Sequence, residues 1–301
     1  MSRKMWRRAA VVASTLALAG VFVHTAPVQA AEEAKGPNTG KISLRAGVDF
    51  PTAYMFRGIL QEDEDFIAQP FGEVTVKLHE GSGPLNSVTT TLGIWNSFHS
   101  GPTGSEGATE DPKSWYELDF YGGVNFTFLE KLQAGVIYTA YISPNDSFHT
   151  INEIALRFAF DDKELLGAFA LSPSVLIAFE IEGQADTGHA GHGEGVYLQL
   201  GIQPGFTLIE DKNYPVTLSF PVTVGLSLDD YYEFGTGDDD TFGYLNVGAL
   251  FGMPLAFIPS SLGSWEIHAG VQFFFLGDNL EAVNDGDAFK AVGLIGLSVT
   301  Y

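Results

Sequence analysis

The chain contains no cysteine in 301 residues, which excludes disulfides, thiolate metal sites and a cysteine nucleophile. Bases are scarce: 15 Lys and Arg stand against 37 Asp and Glu, a formal charge of −22. That balance excludes nucleic acid as a partner, because phosphates demand positive charge. It suits cations, basic partners or a hydrated acidic surface. Past residue 30 no stretch approaches the roughly 18 consecutive apolar residues of a transmembrane helix. What is plentiful is Gly (35), Phe (24) and Tyr (11), the turn formers and aromatics of a β-rich chain.

Residues 1–30 read as a secretory signal peptide. Arg3, Lys4, Arg7 and Arg8 form its basic region, Ala9 to Phe22 its apolar region, and Val28-Gln29-Ala30 a small-residue cleavage site. Arg7-Arg8 also admits a twin-arginine reading, which the flanking residues do not fit. Cleavage would remove four bases and no acid, leaving 11 against 37 and a charge of −26. Residues 31–40 read as a flexible lead, and 41–301 as one domain.

Twelve segments of that domain alternate with period two: 41–60, 66–78, 87–98, 114–128, 132–142, 148–160, 174–183, 195–203, 215–228, 241–252, 264–276 and 288–301. One face is apolar in each, as in Tyr116, Leu118, Phe120, Val124 and Phe126, or Trp265, Ile267, Val271, Phe273 and Phe275. The last segment is apolar from Phe289 to Val299 on one parity and ends on the aromatic Tyr301. Such a strand resembles the signal by which outer-membrane barrels are recognised for assembly. If residue 41 starts on the periplasmic side, the connectors 61–65, 99–113, 143–147, 184–194, 229–240 and 277–287 face outward. Together these hold 20 acids and one base, Lys113, while the opposite set is mixed in charge. Alternating segments of about ten residues separated by turns predict an all-β fold, a transmembrane antiparallel up-and-down β-barrel of about 12 strands with periplasmic termini. A soluble sandwich also alternates, but with shorter strands and its apolar face buried. The expected location is the bacterial outer membrane, with the lipid bilayer and the barrel-assembly machinery as partners and a monomer as the unit.

The first segment continues past Pro51 as Thr52-Ala53-Tyr54-Met55-Phe56-Arg57-Gly58-Ile59, with Gln61 following. It resembles the start of a family of proteobacterial outer-membrane proteins whose first strand carries an aromatic-x-aromatic-Arg-Gly segment. The chain departs from that pattern at Ala53, where the family has an acid. The resemblance covers eight residues and implies the barrel fold; it brings no substrate and no catalytic residue.

On the inward parity the sequence places the acids Asp49, Glu73, Glu117, Asp119, Glu153, Glu180, Glu182 and Glu266 and the bases Arg45, Arg57, Lys77, Arg157 and Lys290, with His268 beside them. One reading is a narrow, acidic channel or binding site for a small solute, preferring cations. The other is a non-conducting platform whose lumen is plugged by mutual ion pairs. Arg57 is expected to find two carboxylates. An outer-membrane hydrolase is a distant third: His268 and His149 could approach Ser97 or Ser219, but no motif ties them. His189 and His192, imidazoles three apart, with Glu194 could hold Zn²⁺ or Cu²⁺ in an outer loop whose flanking glycines would have to be ordered. Separately, Asp238, Asp239 and Asp240 could hold Ca²⁺, although no EF-hand spacing is present there. No cofactor is expected.

Overall fold

A computed structural model describes residues 40–101, 114–185, 194–211, 214–234 and 238–301. The signal-peptide reading lies outside them. Antiparallel strands follow one another around a closed wall: β1 (Ile42–Pro51), β4 (Ile67–Glu80), β5 (Leu85–His99), β6 (Trp115–Phe128), β7 (Leu132–Ile142), β8 (Ile151–Phe160) and β9 (Ser174–Glu182). The eighth stave is β10 (Val196–Ile202) with β11 (Gly205–Ile209), and the ninth β12 (Val216–Ser219) with β13 (Val222–Asp229). β14 (Phe242–Pro254), β15 (Ser264–Leu276) and β16 (Phe289–Thr300) complete twelve staves. β16 closes the ring on β1, from Arg45 opposite Thr300 to Pro51 opposite Leu294. Closure satisfies every stave's backbone groups within the wall, which hydrocarbon requires.

The outer face is apolar and uncovered. Leu92 is 66 % and Phe120 50 % exposed, and Phe158, Phe273 and Ile295 are exposed as well. Leu118, Val124, Leu218, Val222, Val224, Val271, Leu297 and Val299 are likewise not buried. A sandwich would hide this face, so the sandwich alternative is excluded. No helix among the described residues is long and apolar enough to span a membrane.

Three features differ from the sequence-based expectation. The first strand does not run to residue 60: the chain leaves the wall after Pro51 and folds inward as a hairpin, β2 (Tyr54–Phe56) and β3 (Ile59–Glu62). Residues 61–65 are therefore the hairpin's return leg as much as a connector. Tyr116, expected outside, is 2 % exposed and lies inside, because a bulge opposite Ser97 and Phe98 puts two successive residues, Tyr116 and Glu117, on the inner side. The connector 277–287 contains a short helix, α2 (Asp278–Val283), too brief to show a helical period in the sequence.

Candidate functional site

The hairpin is the centre of the lumen. Its two-residue turn is Arg57-Gly58, with φ of 49° and 90°, so both central residues are left-handed. That is the backbone of a tight hairpin turn of the mirror-image class, for which glycine at the second position is suited. A Cβ at Gly58 would also lie 2.6 Å from Leu280 Cδ1. Alternation along β2 and β3 is lost because nearly all of it is enclosed: Tyr54, Met55, Phe56, Ile59 and Glu62 are all buried.

Arg57, at the hairpin tip, is buried and donates to both oxygens of Glu153, at 2.6 and 2.8 Å, and to the Tyr231 hydroxyl at 2.8 Å. Its guanidinium lies 4.3 Å from the centroid of the Tyr197 ring. The expectation of two carboxylates is thus corrected: one carboxylate, bidentate, plus a phenol and an aromatic face hold the charge. The planar fork of arginine fits both kinds of partner at once.

Other elements tie down the rest of the hairpin. The Tyr232 hydroxyl donates to the Arg57 carbonyl at 2.9 Å. Asn284, just after α2, accepts from the Leu60 amide at 2.8 Å and donates to the Gly58 carbonyl at 2.7 Å, mimicking a strand partner. The Tyr54 hydroxyl donates to Glu117 at 2.8 Å. One oxygen of Glu62 accepts the backbone N–H groups of Asp63, Glu64 and Asp65, and Asp63 then pairs with Lys290 of β16.

The remaining expected lumen residues fall into separate places. His268 Nε2 and Asp49 Oδ1 meet at 2.7 Å above Gly296, where a Cβ would lie 2.2 Å from each atom. The pair therefore depends on glycine in the strand between them. Glu266 is partly buried and lies toward His268 and Arg45. Arg45 itself reaches Glu73 at 3.3 Å. Arg157 is partly buried on the inner parity of β8. Glu180 accepts the N–H groups of Ala185 and Gly195, at 2.7 and 2.9 Å, and so fastens both ends of a loop. Glu182 is a correction: a register shift between β8 and β9 turns it outward, where it is exposed and accepts from Asn152 at 3.0 Å. Asn152 in turn accepts from Tyr138, on the outer face.

His189 and His192 lie outside the described residues, and Glu194 is exposed. Asp239 spends both oxygens on its own loop, accepting from the Ser227 hydroxyl at 2.8 Å and the Tyr232 amide at 3.1 Å. Asp240 accepts from the Phe242 amide and the Asp238 carbonyl from Asn279. Among the described residues no group of three or more such side chains is placed to hold a metal ion.

The hydrolase reading meets a different serine–histidine pair from those expected through His268 or His149. Ser97 Oγ and His99 Nε2 are 2.8 Å apart, with Glu62 Oε2 3.9 Å from His99 Nδ1. Ser97 and His99 are 0 % and 1 % exposed, so no substrate carbonyl reaches them in this arrangement.

Inside the wall Asp49, Glu62, Glu73, Glu117, Asp119, Glu153 and Glu180 are all buried, against Arg57 as the one buried Lys or Arg among the described residues. Tyr231, Tyr232, Tyr197 and Asn284, which complete the hairpin's seat, carry no period that singles them out; Tyr231 and Tyr232 are embedded in an acidic loop segment.

No known family model matches the chain, and no curated protein matches its sequence. Solved structures of similar fold include an outer membrane channel from Pseudomonas putida F1, with TM-score 0.47 and 10 % identity over 90 % of this chain and 99 % of that one. The beta domain of the Bordetella autotransporter BrkA has TM-score 0.42 and 11 % identity, covering 87 % and 99 %. The translocator domain of the autotransporter NalP from Neisseria meningitidis has TM-score 0.41 and 13 % identity, covering 87 % and 89 %. At such values nothing of their function transfers to this chain.

Proposed function

We propose that this protein is an outer-membrane barrel whose acidic lumen passes or binds a small cationic solute, with the Tyr54–Glu62 hairpin as its internal constriction. The observation that carries the reading is the imbalance of charge inside the wall among the described residues: seven buried carboxyl side chains against one buried guanidinium, with Arg45, Arg157 and Lys290 partly buried beside them. A negative interior enclosed by low-dielectric walls concentrates cations and excludes anions. The barrel inserts with its apolar face toward lipid and both termini toward the periplasm. It arrives there through a signal peptide and the assembly machinery that reads the closing strand, and it works as a monomer. The segment from Tyr54 to Gly58, by which the chain resembles the proteobacterial outer-membrane family, is on this reading the narrowing of the pore.

One observation favours a second reading, a non-conducting platform. The hairpin is fixed from four sides, by Glu153, Tyr232, Asn284 and Lys290. Planar-bilayer recording of the refolded protein separates the two. Ohmic steps whose reversal potential in a salt gradient indicates cation preference support the channel. Silence under all applied voltages supports the platform, and anion preference refutes the role given to the buried acids.

A further inference from the structure

We propose that the carboxylate of Asp119 is the anionic floor of a binding site for a small alkylammonium cation, lidded by the Tyr54–Phe56 leg of the hairpin. The inference names the solute class for the cation-preferring lumen proposed above and rests on that reading. Asp119 is 0 % exposed, yet neither of its carboxylate oxygens has a hydrogen-bond partner. Glu117, two residues earlier on β6 and also buried, lies within hydrogen-bond reach of Asp119, so the two carboxyls have only a proton to share, and one Glu117 oxygen takes the Tyr54 hydroxyl. Two adjacent buried carboxyls with no counter-charge cannot both ionise without a large penalty, and a cation beside Asp119 removes it.

What surrounds Asp119 specifies the cation. Across β5 and β7 its directly opposed neighbours are Trp95 and Tyr141. Over these the hairpin sets Tyr54, with ring centroids 5.4 Å from Trp95, and Phe56, 5.3 Å from Tyr141. The hydroxyls of Tyr54 and Tyr141 are committed to Glu117 and Glu153, so these residues have ring surface left to offer. A carboxylate among aromatic rings attracts an alkylammonium twice, through its charge and through the ring quadrupoles. A metal ion would need a ligand group that is absent among the described residues. Since Asp119 is closed to solvent, the cation enters only when the Tyr54–Phe56 leg lifts. The hairpin is then both constriction and lid, and the Arg57–Glu153 clasp at its tip holds it down.

The test is a fluorescence titration of the refolded full chain with Trp6, Trp115 and Trp265 replaced by Phe, which leaves Trp95 as reporter. Methylammonium chloride is exchanged for sodium chloride at constant ionic strength. A saturable change in Trp95 emission is expected, weakened at least tenfold in Asp119→Asn. Phe56→Ala, which alters the lid and leaves the carboxylate intact, should also weaken binding and speed its onset, and it keeps the test open if Asp119→Asn does not refold. No saturable response, or one unaltered in both variants, overturns the inference. So does a signal that follows pH alone, lost in Asp119→Asn, because the two carboxyls then share only a proton. Cation-selective conductance without methylammonium binding would remove this site while leaving the channel reading intact; anion selectivity would remove the channel reading itself.

Discussion

Arg57 concentrates several demands in one side chain: it must be buried, charged and carried at a positive φ. Its neighbours answer each, through bidentate Glu153, the Tyr231 hydroxyl and the Tyr197 ring. Removing one partner of such a buried pair typically costs about 3–5 kcal/mol, because the other charge is left uncompensated. Glu153→Gln should therefore destabilise the hairpin's seat by a few kcal/mol, read as a lower denaturant midpoint in refolded protein. The exposed pair Lys77–Glu80 serves as control, where Glu80→Gln should change little. A midpoint unmoved by Glu153→Gln would mean that the clasp is dispensable. Gly296 gives a second residue-level expectation. A methyl there cannot coexist with the Asp49–His268 contact, so Gly296→Ala should break that pair and lower the midpoint, whereas Gly72→Ala, where a Cβ meets nothing within 4 Å, should be tolerated.

At the scale of elements, the staves were legible because their cause is period two against lipid. Leu132, Ala134, Val136, Tyr138, Ala140 and Ile142 alternate with Gln133 and Thr139, and β7 follows that pattern residue for residue. The hairpin was not legible for the complementary reason. A segment wrapped on all sides has no polar face, so Tyr54 to Ile59 reads as a continuation of the first strand. The signals were local: Pro51 ending the wall strand, and Arg57-Gly58 directly after the aromatic Phe56, a turn by its glycine. The seat was invisible for a third reason. Asn284 and Tyr232 meet the hairpin across more than 170 positions of chain, which no spacing rule reaches. Replacing residues 53–62 with a short Gly/Ser link should leave the wall intact, since β1, β4 and β16 pair without it. Single-channel steps should become several-fold larger than in the wild type. Equal conductance would show that the hairpin does not lie in the conducting path.

Whole-molecule behaviour follows from the two faces of one wall. On the outer face a charge meets hydrocarbon: Phe120→Arg, at a residue 50 % exposed, should cost about 2–4 kcal/mol of stability in bilayers if it sits near the midplane. On the inner face of the proposed channel the buried carboxylates would set a potential, and screening would confine its reach to about 8 Å at physiological salt. Only acids bordering the path can then decide which ion passes. Glu117, which loses its Tyr54 partner when the hairpin is shortened, and Glu73, which Arg45 reaches only at 3.3 Å, are suited to this role, whereas Glu180 is committed to two backbone N–H groups and Glu182 lies outside. In the hairpin-shortened protein, where the path is open, Glu73→Gln with Glu117→Gln should lower the cation-to-anion permeability ratio obtained from reversal potentials. Glu182→Gln should leave it unchanged. Raising the salt to about 1 M shortens the screening length to roughly 3 Å and should bring all three proteins together. If the double variant kept the parent's selectivity at low salt, the ion preference would have to arise from the acidic outer loops, and the inner carboxylates would be structural.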